Sequence, residues 1–275
     1  MSWPTQSGEF KLGDFELQSG EVMRDAKLLW KSYGAPSPAR DNVTAQRRLL
    51  AEHFGIERLH AVYGFSMGGQ QAYQWASMFP EDVERAIVVC SSARTSAHNR
   101  VFISGLLRTF EAAPKHLGNG RFSGEPEATL RAIGHIYAGW AMSQDFYRAG
   151  LHLSALGAPD LETYLRTDWE NAFLQRHAAD CYAQLITWLH NDISANPLYG
   201  GDLPKALASI KAKVLVMPCE TDLYFRVADS QFEVEHLQRA ELRPIRSVWG
   251  HRAGNPAASP ADAAFLKAQV RSWLD

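Results

Sequence analysis

The sequence predicts an α/β fold, a mostly parallel sheet with helices on both faces and a helical lid inserted after the strand ending at Cys90. Three observations carry this. Short apolar runs at 59–63, 86–90 and 213–218 are each followed by helical periodicity, as in parallel strands joined by crossover helices. Between the second and third run, about a hundred residues read as helix with no convincing strand. Gly64-Phe65-Ser66-Met67-Gly68-Gly69 follows the first run directly, placing a serine on a Gly-x-Ser-x-Gly turn between a strand and a helix.

The elements follow in order. Phe10 to Leu17 and Ala26 to Tyr33 alternate apolar and polar residues, with Gly13 and Gly20 as punctuation, and read as antiparallel N-terminal strands. Ser32 to Asn42 is a polar loop containing Pro and Gly. Thr44 to Phe54 reads as a helix capped by Thr44, with an apolar stripe at Leu49, Leu50 and Phe54 and a stop at Gly55. Leu59 to Tyr63 is the strand before the serine turn. Gln70 to Phe79 is the helix after it, with Ala72, Ala76 and Phe79 on one stripe and Pro80 as terminator. Ala86 to Cys90 is an unbroken apolar run, suited to a strand covered on both faces. Residues 95–203 form the helical lid, rich in large aromatics such as Tyr137, Trp140, Tyr164, Trp169 and Trp188, whose expected task is packing. Residues 1–94 and 204–275 form the core. Lys213 to Pro218 restores the sheet, Leu242 to Trp249 is expected as the last strand, and Pro260 to Leu274 as a closing amphipathic helix.

The chemistry lies at the serine turn. On such an elbow the Ser66 hydroxyl is exposed, and its glycine neighbours permit close approach of strand and helix. The Met67 N–H, at the helix start, stands where an oxyanion would form. A serine hydroxyl needs a base to take its proton, and the base needs an orienting carboxylate. In the chain order Ser, acid, His, the acid is Asp222, after the strand ending at Met217, and the base is His251, after the last strand. Both fall at carboxyl ends of strands, where open α/β sheets build their sites. Asp229 sits in the next helix, and His98, His135, His152, His177 and His190 fall in the lid.

Together, Gly-Phe-Ser-Met-Gly-Gly-Gln-Gln-Ala-Tyr-Gln-Trp-Ala at 64–76, Arg94-x-Ser96-Ala97-His98-Asn99, Arg131-x-Ile133-Gly134-His135-Ile136, and Thr221-Asp222-Leu223-Tyr224 before Gly250-His251 resemble the homoserine O-acetyltransferase-like branch of the α/β-hydrolase superfamily. The resemblance covers residues 44–275. It implies an acyl-Ser66 intermediate, His251 as base and then acid, and Asp222 as its orienter. It also implies an acyl-CoA or another short acyl ester or thioester as donor substrate, an alcohol or water as acceptor, no resident cofactor, and Arg131 near the acceptor.

Two departures from that pattern matter. The homoserine-acylating members carry an aspartate after the catalytic histidine, able to pair with the acceptor's ammonium. Here the residue is Arg252, which repels an ammonium group and favours an esterase or a transferase with another alcohol. The family also runs two more strands before the elbow, one followed by the loop that donates the second oxyanion N–H. Here about ten polar residues separate the Tyr33 strand from the Thr44 helix. An Asp-Asn-Val-like triplet tends to recur in relatives, once after the second strand and once before this helix. Asp41-Asn42-Val43 therefore reads as two copies fused, with a segment lost around residues 43–44; a break in the chain between Val43 and Thr44 is the plainer alternative. A true loss would bare the edge of the elbow strand and impair catalysis.

Composition excludes other classes. Hydrophobic residues make up 46% and charged residues 21%, ordinary for a globular chain of 275 residues, and the net charge of −2 offers nucleic acid no basic field. No stretch is long and apolar enough to span a bilayer, and Met1 to Gln6 shows no signal-peptide pattern, so a cytoplasmic protein is expected. Cys90, Cys181 and Cys219 are widely spaced and odd in number, pointing to buried thiols rather than a disulfide framework or metal site. The lid is a candidate surface for a homodimer.

Overall fold

The computed structural model describes residues 5–16, 22–33 and 43–275. The Asp41-Asn42 pair, Leu17, Gly20 and the stretch after Tyr33 lie outside the described residues.

Strands β1 (Thr5–Glu16) and β2 (Val22–Tyr33) form a separate antiparallel two-stranded sheet. It leans on the next helix through Trp30, whose ring lies 5.2 Å from His53 and 4.9 Å from Phe54. Helix α1 (Thr44–Arg48) continues into a π-helical turn over Leu49–His53. The Val43 carbonyl accepts from Arg47 N at 2.9 Å, the first backbone bond of this helix.

The main sheet contains β3 (Val62–Phe65), β4 (Arg85–Val89), β5 (Lys213–Met217) and β6 (Ala240–Leu242), all parallel and in that spatial order. Among the described residues, β3 pairs only with β4, so within them the elbow strand lies at one end of the sheet.

The pleat sends alternate residues to opposite faces. Ala86, Val88, Val214 and Val216 pack with Ala72, Trp75 and Ala76 of helix α2 (Met67–Met78). Ile87, Val89, Leu215 and Met217 instead pack with Leu266 of the closing helix (Pro260–Leu274). This is why these strands read as continuous apolar runs.

Between β4 and β5 the chain is helical. It passes through α3 (Ala97–Glu111), α4 (Glu127–Ala141), α5 (Gln144–Arg148) and α6 (Leu151–Ser154). Then α7 (Leu161–Tyr164), a π-helical stretch at Leu165–Glu170 and α8 (Asn171–Leu174) run on without interruption, followed by α9 (Ala178–Leu189) and α10 (Leu203–Ala208). Helices α3 to α9 share an apolar core around Phe102, Phe110, Phe146, Tyr164 and Trp188, which also takes in Tyr224 and Phe225 from the loop after β5, whereas α10 packs with Val214 and Val216 of the sheet. After β5 come α11 (Val227–His236), β6, a 3₁₀ turn (Gly250–Gly254) and α12 (Pro260–Leu274).

The expected last strand at Leu242–Trp249 needs correction. Regular pairing ends at Leu242, and beyond it only an isolated parallel bridge joins Ile245 to Cys219. Pro244 has no N–H to continue the ladder, although Arg243 N and Ile245 N still reach Val216 O and Pro218 O at 2.9 and 2.8 Å. The strand before the elbow also sits later than expected, with Leu59 contributing only a bridge to Val83.

Candidate active site

Ser66 stands between β3 and α2 with φ +56° and ψ −126°, a conformation a non-glycine residue rarely adopts. Three contacts hold it there. Its N–H donates to Val89 O of the neighbouring strand at 3.0 Å, and its carbonyl accepts from Gly69 N at 2.9 Å and from Ser91 Oγ at 2.6 Å. The glycines make the turn sterically possible: a Cβ on Gly64 would lie 2.0 Å from Gly68 O, and one on Gly69 would lie 2.5 Å from Ser91 Cβ. Met67 opens α2, so its N–H belongs to the first turn, whose donors have no intrahelical acceptor.

The structure brings the three predicted side chains into one chain of hydrogen bonds. His251 Nε2 lies 2.9 Å from Ser66 Oγ, and His251 Nδ1 lies 2.8 Å from Asp222 Oδ2. Since a carboxylate only accepts, Nδ1 carries the imidazole proton and Nε2 accepts from the serine hydroxyl. Asp222 is fully buried, and its other oxygen accepts from Tyr224 N at 2.8 Å and Phe225 N at 3.3 Å. These amides fix the carboxylate in the plane the imidazole needs.

Rings hold the imidazole. Phe65 stacks on it at 4.8 Å, Tyr224 meets it edge-on at 5.1 Å, and Phe225 lies at 5.5 Å. The backbone before His251 is tied by Gly250 N donating to Thr221 Oγ1 at 3.2 Å, while Thr221 Oγ1 donates to Ser247 O at 2.7 Å. The helical region touches the same loop through Ser143 Oγ, which donates to Val248 O at 2.5 Å.

Sequence reasoning missed these supports, although Tyr224 and Phe225 follow Asp222 within three residues. It also missed that Cys90 sits against the triad. This buried residue adopts φ +43°, and its Sγ converges with the ligand atoms of Asp222 and His251 within 4.8 Å. Burial, then the Asp222 charge, pushes the Cys90 thiol well above its ordinary range and keeps it protonated. A protonated thiol beside a carboxylate and imidazole already bonded to each other is a poor donor set for a metal. All three cysteines are free and buried.

Arg131, expected near the acceptor, has a partner within the helical region. Its guanidinium bonds Glu170 Oε2 at 2.5 Å, and Glu170 Oε1 takes His135 Nε2 at 2.8 Å. Arg131 and then His135 hold the Glu170 carboxyl below its ordinary range. The structure engages Arg131 in an ion pair between α4 and the Leu165–Glu170 stretch. Arg252 lies 5.7 Å over the neighbouring Trp169 ring.

A nucleophile elbow on a parallel sheet, with base and acid on later strand loops, is the arrangement of an α/β hydrolase. Residues 39–192 match the family model described as the alpha/beta hydrolase fold, and the chain belongs to that family. It is 36% identical over 212 residues to an ethyl acetate hydrolase of Pseudomonas veronii, covering 77% of this chain and 60% of that protein. It is 30% identical over 246 residues to a homoserine O-succinyltransferase of Marinobacter nauticus, covering 81% of this chain and 62% of the relative. A crystal structure of an acetylester hydrolase from Corynebacterium glutamicum superposes with TM-score 0.84 at 26% identity, covering 96% of this chain and 94% of that one. The chain spans about 60% of the length of the curated relatives it matches.

Proposed function

We propose that this chain is a serine acyl-enzyme that hydrolyses or transfers a short acyl group from an ester or thioester. The observation that carries this reading is the continuous Ser66–His251–Asp222 hydrogen-bond chain, at 2.9 and 2.8 Å. In this mechanism His251 Nε2 takes the Ser66 proton as Oγ attacks the acyl carbon, and Asp222 stabilises the imidazolium that forms. The Met67 N–H donates to the developing oxyanion. The imidazolium then protonates the leaving alcohol or thiol, leaving acyl-Ser66. Water or a second alcohol, deprotonated by His251, releases the acyl group and restores the hydroxyl. Similarity to an ethyl acetate hydrolase and an acetylester hydrolase supports a short acyl group. An acyl-CoA or another short acyl ester or thioester serves as donor substrate, with no resident cofactor.

Hydrolysis of p-nitrophenyl acetate by the wild type and Ser66→Ala tests the reading. Equal rates above background would sink it. Fluorophosphonate labelling of Ser66, located by mass spectrometry, reports nucleophile activation directly.

Homoserine acylation is the second reading, favoured by the matches to homoserine O-acyltransferases. Arg252 opposes it, because a cation next to His251 repels the acceptor's ammonium. Acetyl-CoA- or succinyl-CoA-dependent formation of O-acylhomoserine above hydrolysis would establish it. A third reading is an impaired enzyme, supported by the edge position of β3 and the exposure of Tyr63, 45% accessible. On this reading a strand and the loop giving the second oxyanion donor are missing around residues 43–44, at a typical cost of about 10²–10³ in rate. A folded protein whose Ser66 resists the fluorophosphonate would favour it.

Among the described residues no helix is long and apolar enough to cross a membrane. Three free thiols support a cytoplasmic location. Exposed Val101, Leu117, Leu153 and Leu161 on the helical region support a homodimer through the lid, with small molecules rather than nucleic acid as substrates.

A further inference from the structure

The amino ends of the central strands carry a row of cations that the acyl chemistry does not use. Arg85 opens β4 and pairs in register with Lys213, which opens β5. Arg239 comes next in the row: it precedes Ala240, the register partner of Val214, and its carbonyl accepts from Val214 N at 2.8 Å. Adjacent strands lie about 4.8 Å apart, and like charges side by side on a sheet destabilise it unless something neutralises them.

The protein supplies only part of that neutralisation. Glu84 is shared among Arg58, His60 and Arg85, at 3.6, 3.3 and 3.7 Å. Glu81 pairs with Lys211. No carboxylate among the described residues pairs with Lys213 or Arg239, and the buried Arg85 Nε has no acceptor. Apart from His60, these side chains line one surface cavity of about 380 Å³, together with Pro80 and Val83. Five cations thus face two engaged carboxylates around a space large enough for a small ligand.

We propose that this cavity binds a small, multiply charged soluble anion of the phosphate type, held by Arg85, Lys213 and Arg239. A dianion or larger answers two features together: the unneutralised row of cations and a concave polar wall. The site is separate from the triad. Ser66 and Asp222 follow the carboxyl ends of β3 and β5, whereas Arg85 and Lys213 open β4 and β5, roughly 16 Å away along a five-residue strand. Ligand here acts on the sheet from the end opposite the chemistry, and the inference stands whether or not Ser66 forms an acyl-enzyme.

Isothermal titration of the full chain with sodium pyrophosphate and with inorganic phosphate, at low ionic strength, tests it. Saturable one-to-one binding of pyrophosphate is expected, with a Kd below roughly 1 mM. Lys213→Gln combined with Arg239→Gln should weaken it at least about tenfold, whereas Arg246→Gln, removing a cation 89% exposed elsewhere, should change it less than about twofold. Ser66→Ala should bind as the wild type does, which separates this result from the fate of the acyl-enzyme reading. The double variant should unfold at the same urea concentration as the wild type or a higher one, because it relieves like-charge repulsion. Non-saturating heats would overturn the proposal, as would equal loss in Arg246→Gln. Binding to phosphatidate-containing vesicles without pyrophosphate binding would overturn it as well.

Discussion

The two sides of the elbow strand are built to different standards. Toward β4 and β5, the groups hydrogen-bonded to Ser66 in the proposed triad are firmly held: Asp222 by two amides and the imidazole, His251 by three rings, and the neighbouring Gly250 by Thr221. On its other side, β3 has no strand partner among the described residues, and Tyr63 is exposed. Nucleophile activation depends on the first side. Oxyanion stabilisation by a second donor would depend on the second. A serine esterase needs both, so the contrast separates having a triad from turning over rapidly.

The largest effects should come from the well-built side. Ser66→Ala is expected to lower kcat/KM for p-nitrophenyl acetate at least about 10⁴-fold, or to the uncatalysed background, with unchanged folding. A smaller loss would mean that another group performs the hydrolysis. Gly64→Ala should instead remove the folded protein, because its Cβ would fall 2.0 Å from a backbone carbonyl that cannot swing away. A destabilisation above about 4 kcal/mol is expected from such an overlap, read as loss of soluble yield or of the urea midpoint.

A pH test probes the anchoring of the same side. Glu233 of α11 is buried; its carboxylate oxygens accept from Ala93 N at 2.6 Å and Tyr73 Oη at 2.9 Å, tying α11 to α2 and to the segment after β4. Burial is the main cause that pushes its carboxyl up to about 8, against these two bonds. Since the folded value exceeds the unfolded one, the native state holds a proton that the unfolded chain has released. The stability contribution is complete below about pH 4.5 and is lost as pH rises through about 8, by at most about 1.4 kcal/mol per pH unit. Urea midpoints at several pH values should fall across this window in the wild type and flatten in Glu233→Gln. An unchanged slope would show that Glu233 is not the titrating group.

The same division explains what the sequence could reveal. The elbow is local, so six consecutive residues disclose it, and chain order together with position at the carboxyl ends of strands selects Asp222 and His251. The strands facing helices on both sides were legible because their apolar runs are unbroken. The last strand was not, because Pro244 interrupts an otherwise plausible apolar pattern whose ladder had already ended at Leu242. Phe65 stacking on His251, and the row Arg85, Lys213 and Arg239, were hidden for another reason. Each joins residues far apart in the chain, and only strand register makes them neighbours.

The open side gives smaller effects. Tyr63→Lys places a charge on the uncovered face of an edge strand, which should reduce concentration-dependent association while leaving Ser66 labelling intact. Light scattering at increasing protein concentration would measure this, and unchanged association would place the sticky surface elsewhere, with the exposed apolar residues of the helical region as the next target.

Acceptor choice offers the finest distinction, because it leaves the triad alone. Arg252 lies directly after His251 and over Trp169, one residue before the Glu170 that binds Arg131 and His135. Arg252→Asp removes the cation that repels an ammonium acceptor and introduces the charge that would pair with one. The ratio of O-acylhomoserine formation to hydrolysis should then rise roughly three- to tenfold, about 0.7–1.4 kcal/mol, as expected for one partly exposed charge. Hydrolysis of p-nitrophenyl acetate, whose leaving group carries no cation, should change much less. A parallel fall in both reactions would show that Arg252 supports the His251 loop through its stacking on Trp169. An unchanged ratio would place the acceptor's ammonium away from residue 252.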